Sequence, residues 1–316
     1  MSELIDVTSN HSRRGFLRMA AGGLGAALVA CTPARGATLP EPVAPSTSNR
    51  SQPLYLPTPE PAKPVPQAGR FERPVMAGTP WETPLTVTHS GRQGPTVLVL
   101  GGVHGNEPGG WLAAEQVATW EPSFGSLLVI PRANRIADRM LERTTSELGD
   151  LNRLYPGAPD ADLPMARMAN AIIEIAREFG ASYLLDMHES WIFYAERPVN
   201  GTAYLGQTIA SGEGPESSTL ARELADRANE SVGVRRDLFW TRDQLQLPGA
   251  VQTPAPVNPP GRGGNGISTS SLGVGRYVPG LTPILVEMGQ QDQSVERRSE
   301  LHLIVARALM NSRGML

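Results

Sequence analysis

Short apolar runs alternate with longer amphipathic stretches along the chain from residue 84 onward. The runs have the length of strands, and the stretches repeat apolar residues at helical spacing, as Met168, Ile172 and Ile175 do before Gly180 ends their helix. The pattern predicts strands at 84–89, 96–101, 125–131, 182–188, 202–208 and 282–288, and helices at 107–120, 163–179, 215–230 and 294–311. This alternation favours a three-layer α/β/α fold, in which helices cover both faces of a mixed, mostly parallel sheet.

Metal-binding side chains stand at the ends of three of these predicted strands. His104 and Glu107 follow the predicted strand 96–101 in a glycine-rich segment. His188 ends the run Tyr-Leu-Leu-Asp-Met-His, and Glu287 ends the run Ile-Leu-Val-Glu. In an open α/β sheet, ligands bind at the carboxyl ends of the strands. Two histidines and a glutamate form a common catalytic zinc shell with a fourth position for water, and a further carboxylate can act as the general base. Either histidine taken alone would be better interpreted as a structural residue than as a metal ligand.

The segment 149–157 lies between these positions and carries the pair Asn152 and Arg153. A planar guanidinium and an amide donor side by side are suited to hold a carboxylate. The segment also reads as a polar loop closed by a Pro-Gly turn. That alternative explains Pro156 and Gly157 but not the Asn-Arg combination.

Four motifs in this order, HGNEP, DLNRLYPG, LLDMH and VEMG, resemble those of the zinc carboxypeptidase superfamily. The chain is most similar to the succinylglutamate desuccinylase/aspartoacylase family, over roughly residues 84–312. The resemblance implies a carboxypeptidase-like α/β fold and hydrolysis of an amide bond. It also implies that His104, Glu107 and His188 bind one zinc ion and that Glu287 activates the water.

The same resemblance implies roles for residues around the metal. Asn152 and Arg153 would hold the substrate carboxylate, Arg143 would polarise the scissile carbonyl, and Asp150 would accept a hydrogen bond from the His104 ring, a usual partner of a zinc-bound imidazole.

Ile130 stands where the family usually has asparagine before Pro-Arg-Ala, which leaves Arg135 and Arg139 as alternatives to Arg143. Glu189, next to His188, is the alternative to Glu287 as the base. His302 is expected on the surface of the last helix.

The first residues predict export. Arg13 and Arg14 before Phe-Leu match the twin-arginine pattern, and the apolar run that follows is too short to span a bilayer. Residues 28–31, Leu-Val-Ala-Cys, resemble a lipobox. The sequence therefore predicts a twin-arginine lipoprotein signal peptide at 1–31 and a periplasmic protein anchored to the membrane through lipidated Cys31. The alternative is an ordinary signal peptide that is cut further on, for example after Gly36.

The remaining composition defines two further segments. Residues 32–75 are proline-rich and predict a disordered tether, so that the catalytic domain spans 76–316. The Gly/Pro-rich segment 246–280 is expected to lie over the cleft. The chain runs only 29 residues beyond Glu287, so a C-terminal β-rich domain over the pocket is not expected. The net charge is −3, and no basic cluster with interleaved aromatic residues points to a nucleic-acid partner.

Two functional hypotheses follow. The first is an exported zinc hydrolase that cleaves an amide bond next to a free carboxylate, in cell-wall peptides or in small N-acyl amino acids; ester hydrolysis remains open, because the same chemistry attacks both acyl types. The second is a catalytically silent, carboxylate-binding lipoprotein that retains the fold. Glu287 argues against the second hypothesis, since a binding protein needs no general base.

Overall fold

The computed structural model describes residues 64–196, 204–213, 215–241 and 269–316. The predicted signal peptide with Cys31, the tether up to residue 63 and most of the predicted cleft-covering segment lie outside these residues. No helix in the described part of the chain is long and apolar enough to cross a membrane.

The described strands are β1 (Gly69–Val75), β2 (Thr83–His89), β3 (Thr96–Leu100), β4 (Ser126–Ile130), β5 (Tyr183–Ser190), β6 (Ile192–Phe193), β7 (Tyr204–Gly206), β8 (Thr208–Ser211), β9 (Trp240–Thr241) and β10 (Thr282–Gly289). Eight of them form one sheet in the order β1-β2-β4-β3-β5-β10-β8-β9, and β6 and β7 form a separate pair. The strands β4, β3, β5 and β10 at the centre of the sheet run parallel. The pairs β1–β2, β2–β4 and β8–β10 are antiparallel, and β9 pairs parallel with β8.

Helices cover both faces of this sheet. They are α1 (Pro108–Val117), α2 (Arg135–Met140), α3 (Pro164–Glu178), α4 (Pro215–Glu230) and α5 (Val295–Ser312). On one face, strand residues such as Val97 and Leu185 pack with α1, α4 and α5 in one apolar cluster. On the other face, the alternate residues Leu98 and Leu184 pack with α3 in a second cluster. Because successive strand side chains point to opposite faces, strands buried on both sides read as continuous apolar runs. The predicted three-layer α/β/α fold is confirmed.

The predicted elements match these bounds within a few residues, with two differences. The predicted helix 107–120 ends at Val117, and the predicted strand 202–208 is replaced in its described part by the two short strands β7 and β8. In addition, α2 was not predicted; six residues are too few to show a helical period.

The predicted boundary of the tether at residue 75 is wrong, because Gly69–Val75 forms β1 and pairs with β2 along its whole length. Most of its residues are exposed, so the apolar alternation that would reveal a strand is missing. Pro74 is compatible with this position because β1 lies at the edge of the sheet, where one side of the strand needs no hydrogen bonds.

The described end of the predicted cleft-covering segment, residues 269–280, packs onto the domain. Ser271–Arg276 forms a 3-10 helix, and Val274 is fully buried in the cluster that contains α3. The predicted position of residues 246–268 over the cleft stays a prediction.

Candidate metal centre

The carboxyl ends of the central parallel strands bring the predicted metal-binding residues to one edge of the sheet. His104 follows β3, His188 lies near the end of β5, and Glu287 lies near the end of β10. His188 and Glu287 are register partners on adjacent parallel strands. In-register residues project their side chains to the same face of a sheet, so the Glu287 carboxylate belongs to the same side as the His188 ring.

The turn after β3 delivers His104 and Glu107 to this edge. Its glycines are required by close packing: a Cβ atom added at Gly105 would lie 2.0 Å from the carbonyl oxygen of Ala137. Pro108 then begins α1, a position where its fixed φ suits a helix and its missing N–H costs nothing. Glu107 is the N-cap residue of α1, yet its side chain makes no capping hydrogen bond.

Three side chains converge on one point. His104 Nδ1 lies 2.7 Å from Glu107 Oε1, His188 Nδ1 lies 2.9 Å from Glu107 Oε2, and the two Nδ1 atoms are 3.1 Å apart. All three residues are at least 96% buried. One ligand atom from each lies within 4.8 Å of the others, which makes this the group of described residues that could hold a metal ion.

The opposite ring nitrogens of both histidines face carboxylates. His104 Nε2 lies 3.1 Å from Asp150 Oδ1, and His188 Nε2 lies 2.9 Å from Asp186 Oδ2. A carboxylate that accepts from one nitrogen fixes the tautomer and turns the other nitrogen toward a metal, the usual environment of a metal-bound histidine. The donor set of two imidazoles and a carboxylate, each histidine backed by an acid, therefore fits zinc.

Burial and charge compete at this centre. Burial disfavours the charged form of Glu107, but the two adjacent imidazoles outweigh it and hold the pKa of Glu107 well below its usual range. Burial likewise opposes protonation of His188, yet Asp186 and Glu107 raise its pKa well above the ordinary value. At Asp150, the His104 hydrogen bond and the Arg143 guanidinium overcome burial and lower the pKa well below its usual range. The Glu107 and Asp150 carboxylates thus favour their ionised forms, which attract positive charge to this centre.

The structure places Arg143, rather than Arg135 or Arg139, beside the metal-binding group. Its Nη2 donates to Asp150 Oδ2 at 3.0 Å, and its Nη1 lies 3.6 Å from Glu107 Oε1. Arg135 and Arg139 line a separate cavity of about 430 Å³, with Pro84, Glu115, Pro131 and Arg132.

Asn152 and Arg153 follow Asp150 in a single 3-10 turn, Leu151–Arg153. Asn152 is buried, and its Oδ1 accepts from the backbone N–H of Ser271 at 3.0 Å. Arg153 is exposed, and its Nη1 donates to the Asn152 carbonyl at 2.7 Å. Asn152 is therefore anchored by the segment after residue 268, whereas the Arg153 guanidinium faces solvent.

Two expectations about nearby residues differ from the structure. Glu189 does not face the metal-binding group: it lies one residue after His188 on β5, so its side chain points to the opposite face, where Oε1 accepts from Gly109 N–H at 2.6 Å. His302 is not a surface residue; it is 1% exposed, and burial lowers its pKa to about 3. It is buried because α5 packs against both α1 and α4.

The predicted site did not include Asp186, the hydrogen-bond partner of His188. It precedes His188 by two residues on β5 and therefore shares its face of the sheet. The sequence contained this signal, since the period of two along a predicted strand places both side chains together.

Comparison with known proteins finds relatives of part of this chain. Residues 93–192 match the catalytic domain of the succinylglutamate desuccinylase/aspartoacylase family. This part of the chain is thus similar to the catalytic domain of that family, and the predicted resemblance is confirmed. The match extends from the residues before β3 to β6. It contains His104, Glu107 and His188, whereas Glu287 lies beyond it.

Individual relatives cover different parts of the chain. The N-alpha-acetyl-L-2,4-diaminobutyric acid deacetylase of Halomonas elongata is 36% identical over 84 residues, 25% of this chain and 24% of that protein. The matched part thus spans about a quarter of the curated relative.

Solved structures share the fold. The cell shape determinant protein Csd4 of Helicobacter pylori superposes with a TM-score of 0.54 at 17% identity, over 71% of this chain and 51% of its own. The ectoine utilization protein EutE (DoeB) of Ruegeria pomeroyi superposes with a TM-score of 0.53 at 19% identity, over 81% of this chain and 71% of its own.

Proposed function

We propose that this protein is a zinc-dependent hydrolase that cleaves an amide bond next to a free carboxylate. The observation that carries the proposal is the convergence of His104, Glu107 and His188 beside Glu287, the register partner of His188. The names of the relatives support the reaction class, since a deacetylase, a desuccinylase and a carboxypeptidase all break an acyl–nitrogen bond.

His104, Glu107 and His188 would hold the zinc ion through the two Nδ1 atoms and the Glu107 carboxylate. When bound, zinc would lower the pKa of a water molecule and polarise the substrate carbonyl. Asp150 and Asp186, which face the Nε2 atoms, would keep the two imidazoles in the tautomer that presents Nδ1 to the metal.

Glu287 would carry the protons. Its carboxylate would accept a proton from the attacking water and deliver it to the departing nitrogen, which would otherwise leave as a poor amide anion. Its position on β10, in register with His188, would place the carboxylate beside the proposed zinc ligands without a loop movement.

Arg143 would stabilise the charge that forms on the carbonyl oxygen. Its guanidinium lies beside Glu107 and is 44% exposed, so it can reach both the metal-binding group and a ligand in the cleft. A cation placed where negative charge develops lowers the barrier more than it strengthens binding of the substrate. Asn152 and Arg153 would hold the carboxylate of the substrate through the amide nitrogen and the guanidinium.

Two substrate classes fit this site. Peptides of the cell wall are favoured by the shared fold with Csd4, described as a D,L-carboxypeptidase and solved with a tripeptide and with mDAP. Small N-acyl amino acids are favoured by the deacetylase of Halomonas elongata, the relative with the higher sequence identity.

We also propose that the protein is exported by the twin-arginine route, which carries folded proteins, and is held at the periplasmic face of a membrane by lipid on Cys31. The support comes from Arg13, Arg14 and the residues 28–31 alone. This location would place the enzyme among cell-wall peptides and favours them as substrates.

One experiment tests the reaction and separates the two classes. The zinc-loaded protein is incubated with muropeptide digests and with a panel of N-acyl amino acids, and the products are identified by mass spectrometry, with the Glu287→Gln variant as the blank. A mass loss of one amino acid from a stem peptide, or of one acyl group, identifies the class. A zinc-loaded protein that turns over neither set, nor the corresponding esters, contradicts the proposal and favours a silent binding protein.

A further inference from the structure

Glu107 occupies the N-cap position of α1 but does not cap the helix. An N-cap side chain normally accepts a hydrogen bond from the N–H of the second or third helical residue. The Glu107 carboxylate instead faces His104 and His188. The start of α1 therefore needs an acceptor from elsewhere for an N–H group that the helix itself cannot satisfy.

Glu189 supplies this acceptor from the neighbouring strand β5. Its Oε1 accepts from the N–H of Gly109, the second residue of α1 and the position that an N-cap side chain would serve. The approach is close: a Cβ atom at Gly109 would lie 2.4 Å from Glu189 Oε1 and 2.7 Å from the Cβ atom of Arg298. Only glycine allows this contact without a rearrangement.

A second anchor lies on the other side of Glu107. Gln290, just after β10, donates from Nε2 to the carbonyl oxygen of Asn106 at 2.8 Å and to Glu189 Oε2 at 2.9 Å. Asn106, just before Glu107, and Gly109, two residues after it, are therefore both linked to the Glu189 carboxylate, Asn106 through Gln290 and Gly109 directly. The backbone N–H of Glu189 also donates to Glu107 Oε2 at 2.9 Å.

Arg298 of α5 compensates the buried charge. Its Nε lies 3.0 Å from Glu189 Oε2, and the side chains of Arg298 and Glu189 are 9% and 0% exposed. A buried carboxylate is costly unless it is paired and hydrogen-bonded, and here Gly109, Gln290 and Arg298 fill these roles. Such a pair is a weak source of stability, which points to a positional role.

We propose that Glu189 is a positioning residue for the metal centre: it caps α1 from β5 and so leaves the Glu107 side chain to bind zinc. The proposal rests on the zinc site proposed above. Gln290 links the Glu189 carboxylate to the loop before Glu107, and Arg298 holds the carboxylate in place.

The test measures zinc affinity by chelator competition and the ligand geometry by the visible spectrum of the cobalt-substituted protein. Glu189→Ala removes the cap and is expected to weaken zinc binding by about 10–100-fold, the range for residues that support metal ligands. Glu189→Gln keeps an oxygen for Gly109 and is expected to recover most of this affinity. Gln290→Ala, at a half-buried position that tolerates truncation, is expected to weaken zinc binding in the same direction and to shift the cobalt spectrum.

Asp237→Ala is the matched control. Asp237 is also a buried acid paired with an arginine of α5, since its Oδ2 accepts from Arg297 Nη2 at 2.8 Å, but it does not touch the 104–109 segment. Its loss is expected to destabilise the fold and to leave zinc affinity and the cobalt spectrum at their wild-type values.

The possible results distinguish failure of the Glu189 inference from failure of the proposed zinc site. Wild-type zinc affinity in both Glu189→Ala and Gln290→Ala overturns the inference alone. Equal losses of affinity in Glu189→Ala and Asp237→Ala also overturn it, because they would reflect general destabilisation. A wild-type protein that binds no zinc overturns the proposed site and this inference with it.

Discussion

His188 and Glu287 are register partners on the adjacent parallel strands β5 and β10. Adjacent strands lie about 4.8 Å apart, so a proposed metal ligand and the proposed general base project from the same face as close neighbours. Both strands are buried at the centre of the sheet, which holds the two groups on a rigid frame. The spacing between Glu287 and His188 is thus set by the sheet itself and not by a loop.

His188→Ala is expected to reduce bound zinc from one ion per chain to a trace, because the remaining His104 and Glu107 supply two of the three protein ligands. Metal analysis after dialysis checks this. His89→Ala is the control, since it removes a histidine of β2 that hydrogen-bonds to Ser126 and is not in the metal-binding group. Full zinc retention in His188→Ala would rule out the proposed ligand set.

The two arginines are expected to differ in kinetics. Arg153→Ala removes a contact to the substrate carboxylate, and a charged hydrogen bond of about 1.5–3 kcal/mol corresponds to a KM increase of roughly 10–100-fold. Arg143→Ala removes a group that acts as charge forms and is expected to lower kcat by about 10²–10³-fold. Arg139→Ala, at the separate cavity, is expected to leave both constants unchanged. The reverse pattern would mean that the two roles are exchanged.

The sequence predicted those elements whose apolar residues follow a clear pattern along the chain. The central strands are buried on both faces and read as apolar runs, and α3 shows a clear helical period, so both were found. The edge strand β1 was missed because an exposed strand with Arg, Glu and Pro carries no apolar alternation. His302 was misplaced because a helix packed between two others is buried on more sides than a simple amphipathic pattern indicates.

The same limit applies to the candidate site. Short motifs located His104, Glu107 and His188, since loop glycines and strand ends are local features. The direction of a side chain is also a local feature on a strand, since Asp186 lies an even number of residues from His188 and Glu189 an odd number. The contact between Glu189 and Gly109 joins residues 80 positions apart and follows only from packing α1 on β5.

Asp138 is expected to make the stability of the metal-free protein depend on pH. Burial raises its pKa to about 8, against the pull of Arg132 and with the repulsion of Glu115 and Glu107, and neither carboxylate oxygen has a hydrogen-bond partner among the described residues. In the unfolded chain this acid ionises near its ordinary value of 3.8, whereas in the folded protein it stays protonated. The unfolded state therefore holds fewer protons, and stability falls as pH rises from about 4 to 8.

Asp138→Asn cannot ionise in either state and is expected to remove this loss. At pH 8 the variant should be more stable than the wild type, by up to a few kcal/mol at about 1.4 kcal/mol per pKa unit, and the difference should vanish near pH 4. Urea unfolding at both pH values in the presence of a chelator measures it. Parallel stability curves for the two proteins would show that Asp138 is ionised in the fold.

The export proposal predicts separate effects for its two parts. Arg13→Lys with Arg14→Lys is expected to block export, whereas Cys31→Ser should leave the protein exported but not anchored. Membrane fractionation of cells distinguishes these results. A wild-type protein found free in the periplasm would show that residues 28–31 do not form a lipobox.

The most direct test of the account is the turnover of Glu287→Gln with its zinc content measured in the same sample. Glutamine keeps the shape and the hydrogen bonding of the side chain but cannot accept a proton from water. The account predicts one zinc ion per chain, an unchanged fold and a kcat lowered by about 10²–10⁴-fold, the range of general acid–base catalysis. A zinc-loaded Glu287→Gln protein that turns over substrate at the wild-type rate would contradict the mechanism and require another base.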